Sequence, residues 1–333
     1  MQLDPAIRDW FALIAELDVK HGVTTAPDAA RRRTAEAALT DELFDHVTLP
    51  GPEVARIADR RIAVTGGEIR VRHYRPDAPA PQPVHVALHG GGFTTGSIDD
   101  RVVDALCRER AVGAGCSVIS VDYRLAPEHP FPTALEDSHR ALEWVVEHAA
   151  ELEVDPENVS IGGASAGANL AAGVAILARD RGGPRLVLQL LEVPMVDFTM
   201  SGGSAETFAE GFGFGPGDLP AVTGAYLSDP AQVSHPLASP LLAEDLAGLA
   251  PAHILTAEFD PLRDAGEAYA ARLAAAGVPA TGRRHRRHVH GSPGLTRTYA
   301  PARAWQHDAI SALRQAHARP TPFGLDQGAP HAA

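Results

Sequence analysis

Lysine is nearly absent: Lys20 is the only one in 333 residues, so almost every positive charge is an arginine. That removes the residue a G-x-x-x-x-G-K-[ST] phosphate loop requires. The formal charge of −13 argues against nucleic acid or anionic lipid as the main partner, because both reward a basic surface. Cysteine is scarce too. Cys107 and Cys116 are spaced neither as a metal knuckle nor as a redox pair, so two reduced, buried thiols in a cytoplasmic protein are expected. No apolar run reaches roughly 18 residues, so no membrane span is expected. The first residues, MQLDPAIRDWFALIAELDVK, lack a basic start and a cleavage site and do not read as a secretory signal.

What remains is an ordinary globular balance, 45% hydrophobic and 21% charged. The length suits one large α/β domain with an insertion, or two smaller domains. Leu3, Ile7, Trp10/Phe11, Ile14 and Leu17 recur at helical spacing, and a second helical stretch covers 31–44 before Pro50-Gly51-Pro52. The pattern then changes to strands. EIRVRHYR (68–75) alternates, and short apolar runs follow at 84–89, 116–122, 158–163, 186–193 and 252–258. Helical segments at about 99–112, 133–150, 166–180 and 264–276 separate them. Strand–helix alternation with continuous apolar strands indicates a parallel sheet covered on both faces. Two stretches break the rhythm, the first 50 residues and 198–235, the latter with a short helical piece near Leu219–Leu227. Both are candidate cap segments.

The sharpest chemical signal is VSIGGASAGANLAAG (159–173). An apolar strand runs into Gly163-Ala164-Ser165-Ala166-Gly167 and a helix begins at once, the context a G-x-S-x-G nucleophile elbow requires. The glycines let strand and helix approach closely around a strained serine, and the helix N-terminus offers free N–H groups to developing negative charge. Upstream, LHGGGF (88–93) places three glycines directly after a strand. A turn of this kind aims backbone N–H groups inward, as an oxyanion hole needs. Taken alone, a phosphate loop is its rival, and the order HGGG speaks against that reading. SVDYRLAPEHPFPTALED (120–137) is a proline-stiffened loop that reads as architecture. HRRHVHGS (285–292) holds His285, His288 and His290. An extended H-x2-H-x-H does not converge three rings on one ion, so a metal site is not expected. Strand alternation puts 286, 288 and 290 on one side, and the neighbouring arginines read as a solvated charge cluster.

Taken in order, HGGGF, DYRLAPEHPFP, GASAG and EFDPLRDAG (258–266) resemble the hormone-sensitive-lipase-like (bacterial family IV) esterases of the α/β-hydrolase superfamily, over about residues 60–315. The resemblance implies a mostly parallel eight-stranded sheet with helices on both faces and a helical cap. It divides the chain into N-terminal cap helices (1–50), a core (51–197 and 236–318), a cap insertion (198–235) and a disordered tail (319–333). It matches Ser165 to the nucleophile and Asp260 to the acid that orients the histidine. The histidine is expected in an His-Gly step about thirty residues past that acid, and residues 290–291 are His-Gly. The oxyanion hole corresponds to the N–H groups of Gly91, Gly92 and Ala166. Phe93, Phe212 and Phe214 are candidate pocket walls.

The implied activity is hydrolysis of small, mainly short-chain acyl esters, with no cofactor or metal and no nucleic-acid partner. The resemblance also allows a homodimer through an edge strand or the cap. Deacetylation, lactone opening or acyl transfer on the same triad are the alternatives, as is a non-catalytic ligand receptor. Two departures from the family pattern stand out: Ala164 before the serine, with Ala168 after the motif, and Ser292-Pro293 where a Phe is common.

Overall fold

The computed structural model describes residues 3–200, 202–213 and 219–318. Phe214 and the tail expected over 319–333 lie outside them. Eight strands among these residues form one sheet in the order β1-β2-β4-β3-β5-β6-β7-β8. They are β1 (Arg56–Val64), β2 (Gly67–Arg75), β3 (Gln82–Leu88), β4 (Ser117–Asp122), β5 (Val154–Ala164), β6 (Leu186–Glu192), β7 (Ala252–Phe259) and β8 (Ala280–Val289). The pairs β1–β2 and β2–β4 are antiparallel, and every pair from β4–β3 to β7–β8 is parallel. This is the mostly parallel eight-stranded architecture expected from the sequence.

Ten helices appear among the described residues. They are α1 (Pro5–His21), α2 (Ala29–Val47), α3 (Arg101–Ala114), α4 (Thr133–Glu147), α5 (Ala149–Leu152), α6 (Ala166–Asp180), α7 (Gly203–Thr207), α8 (Leu219–Tyr226), α9 (Arg263–Ala275) and α10 (Ala300–His317). Strands β3 to β7 are mostly apolar because both of their faces are covered. On one face, Leu188, Leu190, Leu255 and Ala257 meet Trp305, Ala309 and Leu313 of α10, while Ala87 and Val118 meet Cys107 and Ala111 of α3. On the other, Val86, Ile119, Ile161, Leu191 and Ile254 join α4, α6 and α9 in the main core. Both cysteines are buried and free, and burial pushes their thiols up, to about 11 for Cys107 and about 12 for Cys116.

Strand β1, helix α10 and the short helix α7 are absent from the sequence reading. Strand β1 is an edge strand with only Ile62 buried, so it carries no apolar run. Helix α10 does carry a stripe at helical spacing (Ala302, Trp305, Ala309, Leu313) that the sequence offers.

The N-terminal helices are sharply bounded. Asp4 caps α1 through the Ala6 N–H, Asp28 caps α2 through the Arg31 N–H, and Gly22 ends α1 in the left-handed region. Side-chain caps of this kind satisfy N–H groups that a helix leaves without internal partners. The apolar face of α1 (Ile7, Trp10, Phe11) packs with Phe208, Phe259, Val289 and Leu295, and so lies against the loop that carries His290. No helix among the described residues is long and apolar enough to cross a membrane.

Candidate active site

Strand β5 is crowded where it turns into α6. A Cβ on Gly163 would lie 2.3 Å from the Leu88 carbonyl oxygen, and one on Gly167 would lie 2.1 Å from the same atom. Only glycine lets β3, the turn and α6 cross at that distance. Ser165, between them, adopts φ 56°, ψ −115°, a conformation L-residues rarely take. It is held there by three backbone bonds: its N–H donates to the Glu192 carbonyl at 2.9 Å, and its own carbonyl accepts from Asn169 N at 3.1 Å and Met195 N at 3.4 Å. Strain at a single over-determined residue is a mark of functional sites.

Opposite the serine, His290 follows directly on β8. Its Nε2 lies 3.0 Å from Ser165 Oγ and its Nδ1 2.9 Å from Asp260 Oδ2. Asp260 follows β7, is fully buried, and its Oδ1 accepts the Leu262 N–H at 2.9 Å. The Asp260 carboxylate therefore occupies Nδ1 and leaves Nε2 turned to the hydroxyl. Residues from three separate strand ends meet within hydrogen-bonding distance.

The HGGG segment lies beside them. A Cβ on Gly90 would sit 3.2 Å from the Ala164 carbonyl and 3.8 Å from Ser165 Cβ. Gly91 (φ 117°) and Gly92 (φ 57°) turn the chain back, and the Gly91 carbonyl accepts from Thr94 N at 3.1 Å and Thr95 N at 3.0 Å. Arg33 of α2 secures the same turn, with Nε donating to the Thr94 carbonyl at 2.7 Å and Nη2 to that of Ala126 at 2.9 Å. Ala166 is the first residue of α6. Phe93 is fully buried in the main core, its ring stacked 3.8 Å from that of Tyr226. Phe212 packs edge-on against Phe208 at 5.0 Å. A cleft of about 720 Å³ opens between α2 and Gly90-Gly91, but neither Ser165 nor His290 lines it.

The other two histidines of HRRHVHGS behave differently from the expectation of strict alternation. Between the pairs Ala257↔His285 and Phe259↔Val289, β8 carries extra residues and bulges, with Arg287 at φ 64°. The bulge is clamped on both sides: the Arg287 N–H donates to Glu258 Oε2 at 2.7 Å and the Tyr299 hydroxyl donates to the Arg287 carbonyl at 2.9 Å. It turns His285 and His288 together onto Trp305, with ring centroids at 4.5 and 5.2 Å, and frees His290 to reach the serine. His285 Nε2 meets Asp308 at 3.0 Å, and burial pushes His288 down to about 4. Of the arginines, Arg283 pairs with Asp308 and Arg284 with Glu267.

Sequence reasoning overlooked Glu192 and Trp305. Glu192 is fully buried at the end of β6; its carboxylate accepts from Arg110 of α3 and, at 2.7 Å, from Trp305 Nε1 of α10. A charged residue ending an otherwise apolar strand was the available signal, since a buried carboxylate needs partners.

Comparison with known proteins agrees with this geometry. A family model described as alpha/beta hydrolase fold matches residues 85–293. The carboxylic ester hydrolase LipN of Mycobacterium tuberculosis is 45% identical over 273 residues, covering 80% of this chain and 72% of LipN. The carboxylesterase NlhH of the same organism is 38% identical over 329 residues, covering 94% and 96%. The crystal structure of EstE1, a thermophilic carboxylesterase from a metagenomic library, superposes with a TM-score of 0.84 at 38% identity, covering 89% of this chain and 99% of EstE1. The chain belongs to the hormone-sensitive-lipase-like family of α/β-hydrolases and is a carboxylic ester hydrolase of the serine class.

Proposed function

We propose that Ser165, His290 and Asp260 are the catalytic triad and that small esters with short acyl chains are the substrates. The observation that carries the reading is the unbroken relay from Ser165 Oγ through the imidazole to a buried carboxylate, at 3.0 and 2.9 Å. Ser165 Oγ attacks the ester carbonyl while His290 Nε2 takes its proton. Asp260 keeps the Nδ1–H tautomer in place and stabilises the imidazolium. Negative charge forming on the carbonyl oxygen is received by the N–H groups of Gly91, Gly92 and Ala166, the last at the positive end of α6. His290 returns the proton to the leaving alcohol, then activates the water that releases the acid. Every step uses side chains and backbone of this chain.

The described residues of the two segments outside the sheet, 1–50 and 198–235, form a cap in this reading. Support comes from what the site's glycines face: Val222 of α8 lies 3.2 Å from a Cβ placed on Gly92, and Trp10 of α1 lies 3.2 Å from one placed on Gly291. A cap so close to both loops leaves little width at the reacting carbon, which favours short acyl chains.

The test is labelling by a fluorophosphonate probe, run beside hydrolysis of p-nitrophenyl esters of increasing acyl length. Labelling of the wild type but not of Ser165→Ala, with kcat/KM falling beyond short chains, is expected. A labelled Ser165→Ala variant would overturn the nucleophile, and a preference for long chains would overturn the substrate class. Running the series with a competing alcohol distinguishes hydrolysis from acyl transfer.

A further inference from the structure

The mechanism uses one histidine of HRRHVHGS and leaves His288 and Ser292 unexplained, though both are fully buried beside it. Ser292 sits at the start of a 3₁₀ turn (Ser292–Gly294) one residue past the His-Gly step. Its hydroxyl accepts the Val289 N–H at 3.1 Å, donates to the Val289 carbonyl at 2.8 Å, and is hydrogen-bonded to His288 Nδ1, also at 2.8 Å. One side chain therefore closes the turn that brackets His290, with bonds to the residue before it and to the ring two positions before it. His288 is in turn packed between Tyr299 and Trp305, with centroids at 5.0 and 5.2 Å. Trp305 donates to Glu192, the residue whose carbonyl holds the Ser165 N–H. The two loops that must meet for catalysis are thus joined twice: once through the His290–Ser165 contact, and once behind it through Ser292, His288, Trp305 and Glu192.

We propose that Ser292 and His288 are positioning residues, a hydroxyl–imidazole lock that fixes the turn 289–292 so that His290 is presented to Ser165 at reactive distance. The proposal rests on the reading of His290 as the general base. The physical reason is that a small displacement of a base from its proton acceptor geometry lowers the rate far more than it lowers binding. Without the lock, the turn retains its packing but loses the bonds that define its angle.

The experiment measures kcat, KM and thermal midpoint for Ser292→Ala, His288→Phe, the double variant and Ser292→Cys, with His290→Ala as reference. Ser292→Ala and His288→Phe are each expected to lower kcat about tenfold with KM within about twofold of wild type. The double variant falls no further than the worse single one, because the pair acts as a unit. Ser292→Cys, nearly the same shape but a poor hydrogen-bonding group, falls between wild type and Ser292→Ala, and it serves if the larger changes fail to fold. Wild-type kcat in a folded Ser292→Ala or Ser292→Cys, with His290→Ala inactive, would overturn the lock and leave the base assignment standing. Activity retained in His290→Ala would overturn the base assignment and the lock with it.

Discussion

The amide of Ser165 and the carbonyl of Glu192 are 2.9 Å apart, and this bond anchors the strained serine to the neighbouring strand. The same Glu192 spends its side chain on Arg110 and Trp305, so helices α3 and α10 are both fastened beneath the elbow. Arg110 and Glu192 are a nearly fully buried ion pair, with side chains 8% and 3% exposed. Such a pair adds little net stability, yet breaking it strands a charge. Arg110→Met is expected to cost about 3–5 kcal/mol in urea unfolding. Arg110→Met/Glu192→Gln should recover most of that loss, since the amide still accepts from Trp305. If the double variant is as unstable as the single one, the loss is due to packing and the charge argument fails.

The elbow's glycines make a second prediction about shape. Gly167→Ala would place a methyl 2.1 Å from the Leu88 carbonyl and 2.4 Å from that of His89, both backbone atoms. Strand β3 is paired on both edges, by β4 and β5, and has nowhere to retreat. A loss of about 3 kcal/mol or more, or no folded protein, is expected. Gly224→Ala in α8 is the contrast: nothing lies within 4 Å of the added carbon. It should be neutral or stabilising by up to about 1 kcal/mol through helix propensity. Denaturation midpoints of the two variants moving in the same direction would contradict the crowding argument.

What the sequence makes legible follows from how local each signal is. The turns at 89–92 and 163–167 announce themselves because crowded backbone demands glycine there, from Thr95 at Gly91 and from the facing Leu88 carbonyl at Gly163 and Gly167, and each demand leaves a glycine in the sequence. Strands β3 to β7 are readable because two covered faces leave few polar positions in each. Strand β1 is not, since an edge strand with one buried residue looks like a polar loop. The bulge at Arg287 is the instructive miss. It depends on Glu258 and Tyr299, which come from β7 and the start of α10, so no pattern within HRRHVHGS contains it. Alternation assigned His288 and His290 to one side, and the tertiary clamp separated them. Phe93 shows the same limit: its place against Tyr226 requires a partner more than a hundred residues away.

In the proposed triad Asp260 orients His290 by geometry, which sets the outcome of its conservative replacement. In Asp260→Asn the amide can donate to Nδ1, which favours the tautomer with the proton on Nε2, where it cannot accept from Ser165. A fall in kcat of roughly 10³–10⁴ with little change in KM is expected. Both constants come from steady-state hydrolysis of a p-nitrophenyl ester. Retention of more than a tenth of wild-type kcat would mean that Asp260 does not set the tautomer.

Acid sensitivity follows from buried histidines outside the proposed triad, His73, His288 and His317 among them. Burial pushes His73, His288 and His317 down to about 4, below the ordinary value of about 6.5. Folded, these rings stay neutral until the pH nears 4; unfolded, they take up protons near 6.5. The unfolded chain therefore binds more protons throughout that window, and stability declines as pH falls through it. The contribution is fully present above about 6.5 and amounts to at most about 3 kcal/mol per ring. Asp100 works in the opposite sense. Burial raises it to about 6, so its folded carboxyl is protonated before the unfolded one and offsets one ring over much of the same range. The net expectation is a fall in the urea midpoint between pH 6.5 and 4. His317, whose Nε2 meets Ser160 Oγ at 3.0 Å at the end of α10, is the ring to remove. His317→Gln keeps a polar partner for Ser160 and deletes the titrating group, so the slope of stability against pH should drop by up to about 1.4 kcal/mol per pH unit. An unchanged slope would show that His317 is already protonated in the folded protein, or that it is not shielded from solvent.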